Sequence, residues 1–138
     1  MVSRSFHLLK LTIVGVIFVL SASALAHEKT GWIVPEEAKK MNNPVPITKE
    51  SLRKGKEIYE KRCANCHGTK ADGKGPASAR LNPKPTNFHE HHQMEMSGGE
   101  FFWKILTGRG SMPSYKKELT EEEIWQVINY ISTFGKKN

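Results

Sequence analysis

The chain has 138 residues, 38% of them hydrophobic and 25% charged, with a formal charge of +7. That length excludes a large multidomain enzyme, and the composition excludes a disordered or collagen-like chain. Two cysteines are too few for a disulfide-dense miniprotein or a four-cysteine zinc site.

The N-terminus reads as an export signal. Arg4 and Lys10 give it a positive start, and no acid occurs before Glu28. Leu11 to Ala26 carries no charge and ends in Ala24-Leu25-Ala26, small residues of the kind a signal peptidase accepts, so cleavage is expected after Ala26. The alternative is an uncleaved anchor, but a spanning helix needs about 20 apolar residues and this run is shorter. Cleavage removes Arg4 and Lys10 and no acid, taking the charge from +7 to +5 on the remaining 112 residues. The mature chain is then expected in the periplasm or another exported, oxidising compartment, without stable membrane insertion.

Residues 27–47 carry Pro35, Pro44 and Pro46 and predict an extended arm with at most one helical turn, Glu36 to Met41. Trp32, Ile33 and Val34 are its apolar cluster and the expected anchor. Thr48 can cap a first long helix reaching about Arg62. Leu52, Gly55, Ile58, Tyr59 and Arg62 share one face, with Arg53, Lys54, Lys56, Glu57 and Glu60 toward water. Glycine inside a helix costs about 1 kcal/mol relative to alanine, so Gly55 points to close approach of another backbone.

Cys63-Ala64-Asn65-Cys66-His67 follows. This is C-x-x-C-H, the spacing of covalent haem c attachment: two thiols near a helix end bond one macrocycle and the next residue offers an imidazole. Three readings compete. A structural disulfide gives His67 no task, a thioredoxin-type pair needs a strand–loop–helix setting, and zinc lacks two further cysteines.

Gly68 to Phe88, rich in glycine and proline, predicts a loop. A middle helix fits Gly99 to Thr107, stopped by Gly108-Arg109-Gly110. The last helix begins at Thr120 with Glu121-Glu122-Glu123 as a capping box, carries Ile124, Val127, Ile128, Ile131 and Phe134 as a stripe widened by Trp125 and Tyr130, and is ended by Gly135. No alternating run predicts a strand, so the fold class is all-α.

An iron ligated by His67 needs a sixth ligand or an open site. Candidates are Met41, Met94, Met96, Met112, His27, His89, His91 and His92. Met112 stands out because it follows a glycine-rich break and precedes Pro113, where an extended chain is free to bring a thioether to iron. Met/His ligation raises the reduction potential. Elsewhere, His89, His91, His92, Met94 and Met96 crowd one short segment with two acids. Imidazole and thioether suit copper, so a second metal site competes with a plain polar surface loop.

Residues 48–138 resemble the class I c-type cytochromes, specifically the small exported monohaem group. The resemblance is carried by Gly55 with Tyr59, Cys63 to Gly68, Asp72-Gly73-Lys74-Gly75-Pro76, Gly108 to Pro113, and Trp125 with Tyr130. It implies a bundle of about three to four helices wrapped round one covalent haem c, held through Cys63 and Cys66 with His67 and Met112 as axial iron ligands. It implies that the first and last helices cross at Gly55. It suggests that the Pro76 carbonyl, or that of Pro83 or Pro85, accepts the imidazole proton. Trp103 and Arg109 are candidates for the haem propionates. The arm 27–47 lies outside the family pattern.

The function so implied is one-electron transfer between redox proteins, not catalysis. Lysines 61, 70, 74, 84, 104, 116 and 117 would steer docking onto acidic partner surfaces. Nucleic acid is not an expected partner, since no such motif is present. The alternatives are a haem enzyme or sensor with a labile sixth ligand, such as a peroxidase with His89 or His91 distal, and a haem subunit docked on a larger oxidoreductase.

Overall fold

Three capping boxes set where the long helices begin. Thr48 accepts a hydrogen bond from the Ser51 amide while the Ser51 hydroxyl answers the Thr48 amide, starting α2 (Lys49–Arg62). Ser97 and Glu100 do the same for α4 (Gly98–Thr107), and Thr120 and Glu123 for α5 (Glu121–Ile131). Two single turns complete the helices: α1 (Glu36–Lys39) and α3 (Ala64–His67). A 3-10 turn, Ser78–Arg80, lies in the loop after α3. The computed structural model describes residues 32–90 and 95–135. No strand occurs among them, as the sequence predicts. The expected signal segment lies outside the described residues, as do His27, His91, His92 and Met94. No described helix is long and apolar enough to cross a membrane.

The chain divides into two units, Met1–Trp32 and Ile33–Asn138, and the fold is that of the second. Its frame is the pairing of α2 with α5. Gly55 sits at the crossing: a Cβ there would overlap the Gln126 carbonyl and press on the Tyr130 Cβ. Only glycine lets the two backbones come so near. The face of α2 turned inward is Ser51, Gly55 and Tyr59, with Leu52 and Ile58 half-buried at its margins. Helix α4 closes over α5 through the Phe102–Trp125 stack, ring centroids 4.5 Å apart.

Helix α5 is buried on more sides than its apolar stripe predicts, because Gln126 and Asn129 are also inside. Gln126 lies at the crossing with α2, and the arm covers Asn129. Asn43 Nδ2 donates to the Asn129 side chain at 2.8 Å, and Asn129 Nδ2 donates to the Val45 carbonyl at 3.1 Å. Gln126 is satisfied by Glu122 one turn back. Of the expected anchor, Val34 is buried but Ile33 is 79% exposed. Ala38 of α1 is buried in addition, and its carbonyl lies where a Cβ on Gly99 would be, so α1 docks on the start of α4.

Candidate haem-attachment site

The cysteine–histidine motif is itself a helical turn. Cys63 is the junction residue: its amide donates to the Tyr59 carbonyl at the end of α2, and its carbonyl accepts from the Cys66 and His67 amides. Both cysteines are unpaired and half-buried. Burial, with Cys66 beside it, pushes the Cys63 thiol up to about 12, so it stays protonated at neutral pH.

A glycine loop wraps this turn from outside. The amides of Gly73, Gly75 and Ala77 donate to the carbonyls of His67, Cys66 and Asn65 at 2.8, 3.1 and 2.9 Å. A Cβ on Gly75 would collide with the Ala64 and Asn65 carbonyls. The buried Tyr59 hydroxyl donates to the Gly68 carbonyl at 2.8 Å, fastening the exit of the turn to α2. Every backbone carbonyl from Cys63 to Gly68 thus has an accounted donor.

His67 Nδ1 lies 3.1 Å from the carbonyl of Thr86. A carbonyl only accepts, so Nδ1 carries the proton and Nε2 is left with its lone pair. The expected acceptors were Pro76, Pro83 or Pro85, and the structure replaces them with Thr86. The physical reason is in the loop: residues 73–77 are committed to the motif's own carbonyls, and Pro76 is exposed. The chain reaches the imidazole only on its return, where the Phe88 amide donates to the Ala71 carbonyl at 2.8 Å. Phe88 then stacks on the His67 ring at 4.9 Å. Burial lowers the His67 pKa and the Thr86 carbonyl opposes it, so the neutral ring is favoured. An apolar cavity of about 120 Å³ opens beside Phe88, lined also by Met96, Phe101, Ile128 and Ile131.

Met112 is half-buried against the core. The extended, free chain expected around it is absent. Arg109 and Met112 instead exchange both backbone hydrogen bonds, 2.8 and 3.0 Å, across a closed turn. Gly110 at φ +57 takes the left-handed first central position that such a tight turn needs. Gly108 at φ +62 ends α4, and a Cβ there would overlap Pro113 and Ser114.

The other sequence candidates are dispersed. Met41 is exposed on the arm. His89 is exposed, with Nε2 against the Lys70 carbonyl at 2.6 Å and its ring edge-on to Phe134. Met96 accepts from Lys104 Nζ at 2.9 Å. No cluster of three or more His, Cys, Asp or Glu side chains suited to a metal occurs among the described residues. Trp103 is half-buried on α4, and Arg109 is exposed at the turn. Thr86 and Phe88 were not foreseen, since a backbone carbonyl has no sequence signature and Phe88 reads as one apolar residue in a loop.

The donor set fits a haem. Two thiols lie on one turn, and the next residue presents an imidazole whose Nδ1 is anchored and whose Nε2 is available for a metal.

Residues 50–131, more than half the chain, match the family described as cytochrome C oxidase, cbb3-type, subunit III. Among solved structures, the chain is similar to one from the Kuenenia stuttgartiensis reducing HAO-like protein complex, at 28% identity and a TM-score of 0.58. The similarity covers 66% of this chain and 46% of that one. No curated protein matches the chain.

Proposed function

Because the chain belongs to the cbb3-type cytochrome c oxidase subunit III family of c-type cytochrome domains, we propose that it is an exported monohaem carrier of single electrons between redox proteins. In this reading Cys63 and Cys66 would hold one haem c covalently through thioether links, and His67 and Met112 would ligate its iron. Bound there, haem supplies a one-electron ferric–ferrous couple. The protein's part is to hold the ligands still. His67 Nδ1 is fixed on the Thr86 carbonyl, Phe88 covers the ring face, and the glycine loop keeps the turn from opening. His67 and Met112 together would leave no ligand position for a substrate, which favours a carrier over a peroxidase or sensor. The signal segment, cleaved after Ala26, would deliver residues 27–138 to the periplasm.

The observation that carries the proposal is the anchored His67 tautomer directly following two unpaired thiols. The test is the visible spectrum of the purified ferric protein. A weak red-region band from an iron–methionine bond is expected, and Met112→Ala should abolish it while leaving the haem covalently bound. A wild-type spectrum without that band overturns Met112 as ligand and moves the enzyme or sensor reading ahead.

A second reading, a haem subunit docked on a larger oxidoreductase, is favoured by the two similarities. The family is described as an oxidase subunit, and the similar solved chain comes from a protein complex. Size-exclusion chromatography of a native extract separates the two: a carrier elutes near its own mass, a subunit with a larger assembly.

A further inference from the structure

The segment after Met112 is tied down at three places. The Tyr115 amide donates to the Ile105 carbonyl at 3.2 Å, and the Ser114 hydroxyl to the Leu106 carbonyl at 2.7 Å, holding the segment on the end of α4. The third tie crosses the molecule. Tyr115, only 7% exposed, sends its hydroxyl to the carbonyl of Arg62 at 2.8 Å. Arg62 is the last residue of α2, immediately before Cys63. At the surface the same junction is repeated by an ion pair, Arg62 to Glu118 at 3.0 Å. The Tyr115 carbonyl in turn accepts from the Glu118 and Leu119 amides, so both contacts spring from one short turn.

We propose that Tyr115 is a positioning residue that latches the Met112 turn to the haem-attachment turn, its hydroxyl on the Arg62 carbonyl fixing where the Met112 thioether is held relative to Cys63, Cys66 and His67. The inference rests on the reading of Met112 as the sixth ligand. Its physical basis is the stiffness of the path. From Tyr115 back to Met112 there are two intervening residues, one of them Pro113, and Met112 is locked to Arg109 by paired backbone bonds. From Arg62 forward the chain enters Cys63, whose amide and carbonyl are both bonded. A hydrogen bond at the Tyr115–Arg62 junction therefore fixes one ligand-bearing turn against the other. Losing the hydroxyl takes the donor from the Arg62 carbonyl and leaves only the exposed Arg62–Glu118 ion pair to tie the methionine segment to α2. The role is one of position, since the Tyr115 hydroxyl is engaged with backbone and contributes no ligand atom.

The test uses the intact ferric holoprotein and imidazole, which competes for the sixth position as the methionine leaves. Tyr115→Phe keeps the ring and removes only the hydroxyl, so the fold is retained. It should bind imidazole about tenfold more tightly than wild type, with the red-region band lost at correspondingly lower imidazole. Glu118→Gln, which removes the exposed ion pair, should shift affinity the same way by about twofold. In a Met112→Ala background there is no thioether to hold, and adding Tyr115→Phe should leave imidazole affinity unchanged within about twofold. Wild-type-like imidazole affinity in Tyr115→Phe overturns the latch. So does an equal shift in the Met112→Ala background, which would place the effect in the general fold. If Met112→Ala alone leaves the red-region band intact, it is the ligand reading that has failed, and the latch falls with it.

Discussion

Tyr59 and Tyr115 hold two buried hydroxyls on the carbonyls that flank the cysteine–histidine turn, Gly68 after it and Arg62 before it. Burial is the leading cause of their raised pKa values: Tyr115 is pushed up to about 12 and Tyr59 is raised further. Unfolded tyrosine ionises near pH 10, so above that point the folded state keeps protons that the unfolded state has lost. Where the folded state binds more protons, stability falls as pH rises. The urea midpoint of the holoprotein is therefore expected to decline from about pH 10 to about 12, and Tyr59→Phe should decline less steeply than wild type. An unchanged slope in Tyr59→Phe would remove Tyr59 from that account. His67 is legible only in part. Its place as the imidazole of the motif is plain from spacing, whereas its partner, a carbonyl nineteen residues away, belongs to a loop path that no residue type announces.

Helix boundaries were the most legible feature, because caps are local chemistry. Thr48 and Thr120 start helices where the sequence predicts, and α2 and α4 end at Arg62 and Thr107 as expected. Helix α5 stops at Ile131, short of the expected Gly135, where the Thr133 and Phe134 amides tighten into turns on the Tyr130 and Ile131 carbonyls. The α4 start shifts by one residue, to Gly98, because Ser97 provides the cap. What was not legible depends on distant chain. Burial of Asn129 follows from the arm lying across α5, and a helix periodicity cannot report a neighbour from the other end of the molecule. Gly55 is the exception, because its cost inside a helix makes a close crossing visible from sequence alone. Gly55→Ala should force α2 and α5 apart against the Gln126 carbonyl. Overpacking of this kind costs roughly 1–3 kcal/mol, enough to lower the melting temperature of a domain this size by about 5–15 °C. The effect should appear in thermal denaturation followed by circular dichroism. Gly98→Ala is the control, since a Cβ there meets only Trp125 at an ordinary 3.4 Å.

The chain as a whole is basic, with 21 lysines and arginines against 14 acids. Many of these charges are already engaged in local pairs: Arg53 lies between Glu50 and Glu57, and Lys39 is on Glu36. Of the lysines expected to steer docking, two are engaged locally, Lys84 at the surface and Lys104 half-buried. Lys84 Nζ caps the 3-10 turn through the Ser78 and Ala79 carbonyls, and half-buried Lys104 donates to Met96, its pKa lowered by burial. Lys61, Lys70, Lys74, Lys116 and Lys117 are exposed. They lie in sequence beside the cysteine–histidine turn, its glycine loop and the Met112 turn, so they concentrate positive charge on the segments that would surround the proposed redox centre. Long-range attraction between such a surface and an acidic redox protein raises the encounter rate and is screened once the Debye length, about 10 Å at 0.1 M salt, falls below the approach distance. Stopped-flow electron exchange with an acidic redox protein should slow by about tenfold or more between low and high ionic strength. The double variant Lys116→Glu and Lys117→Glu should cut the low-salt rate and flatten the dependence, while its spectrum and reduction potential stay near wild type. A rate indifferent to salt in the wild type, or a double variant as fast and as salt-sensitive as wild type, would show that these lysines serve solubility rather than docking.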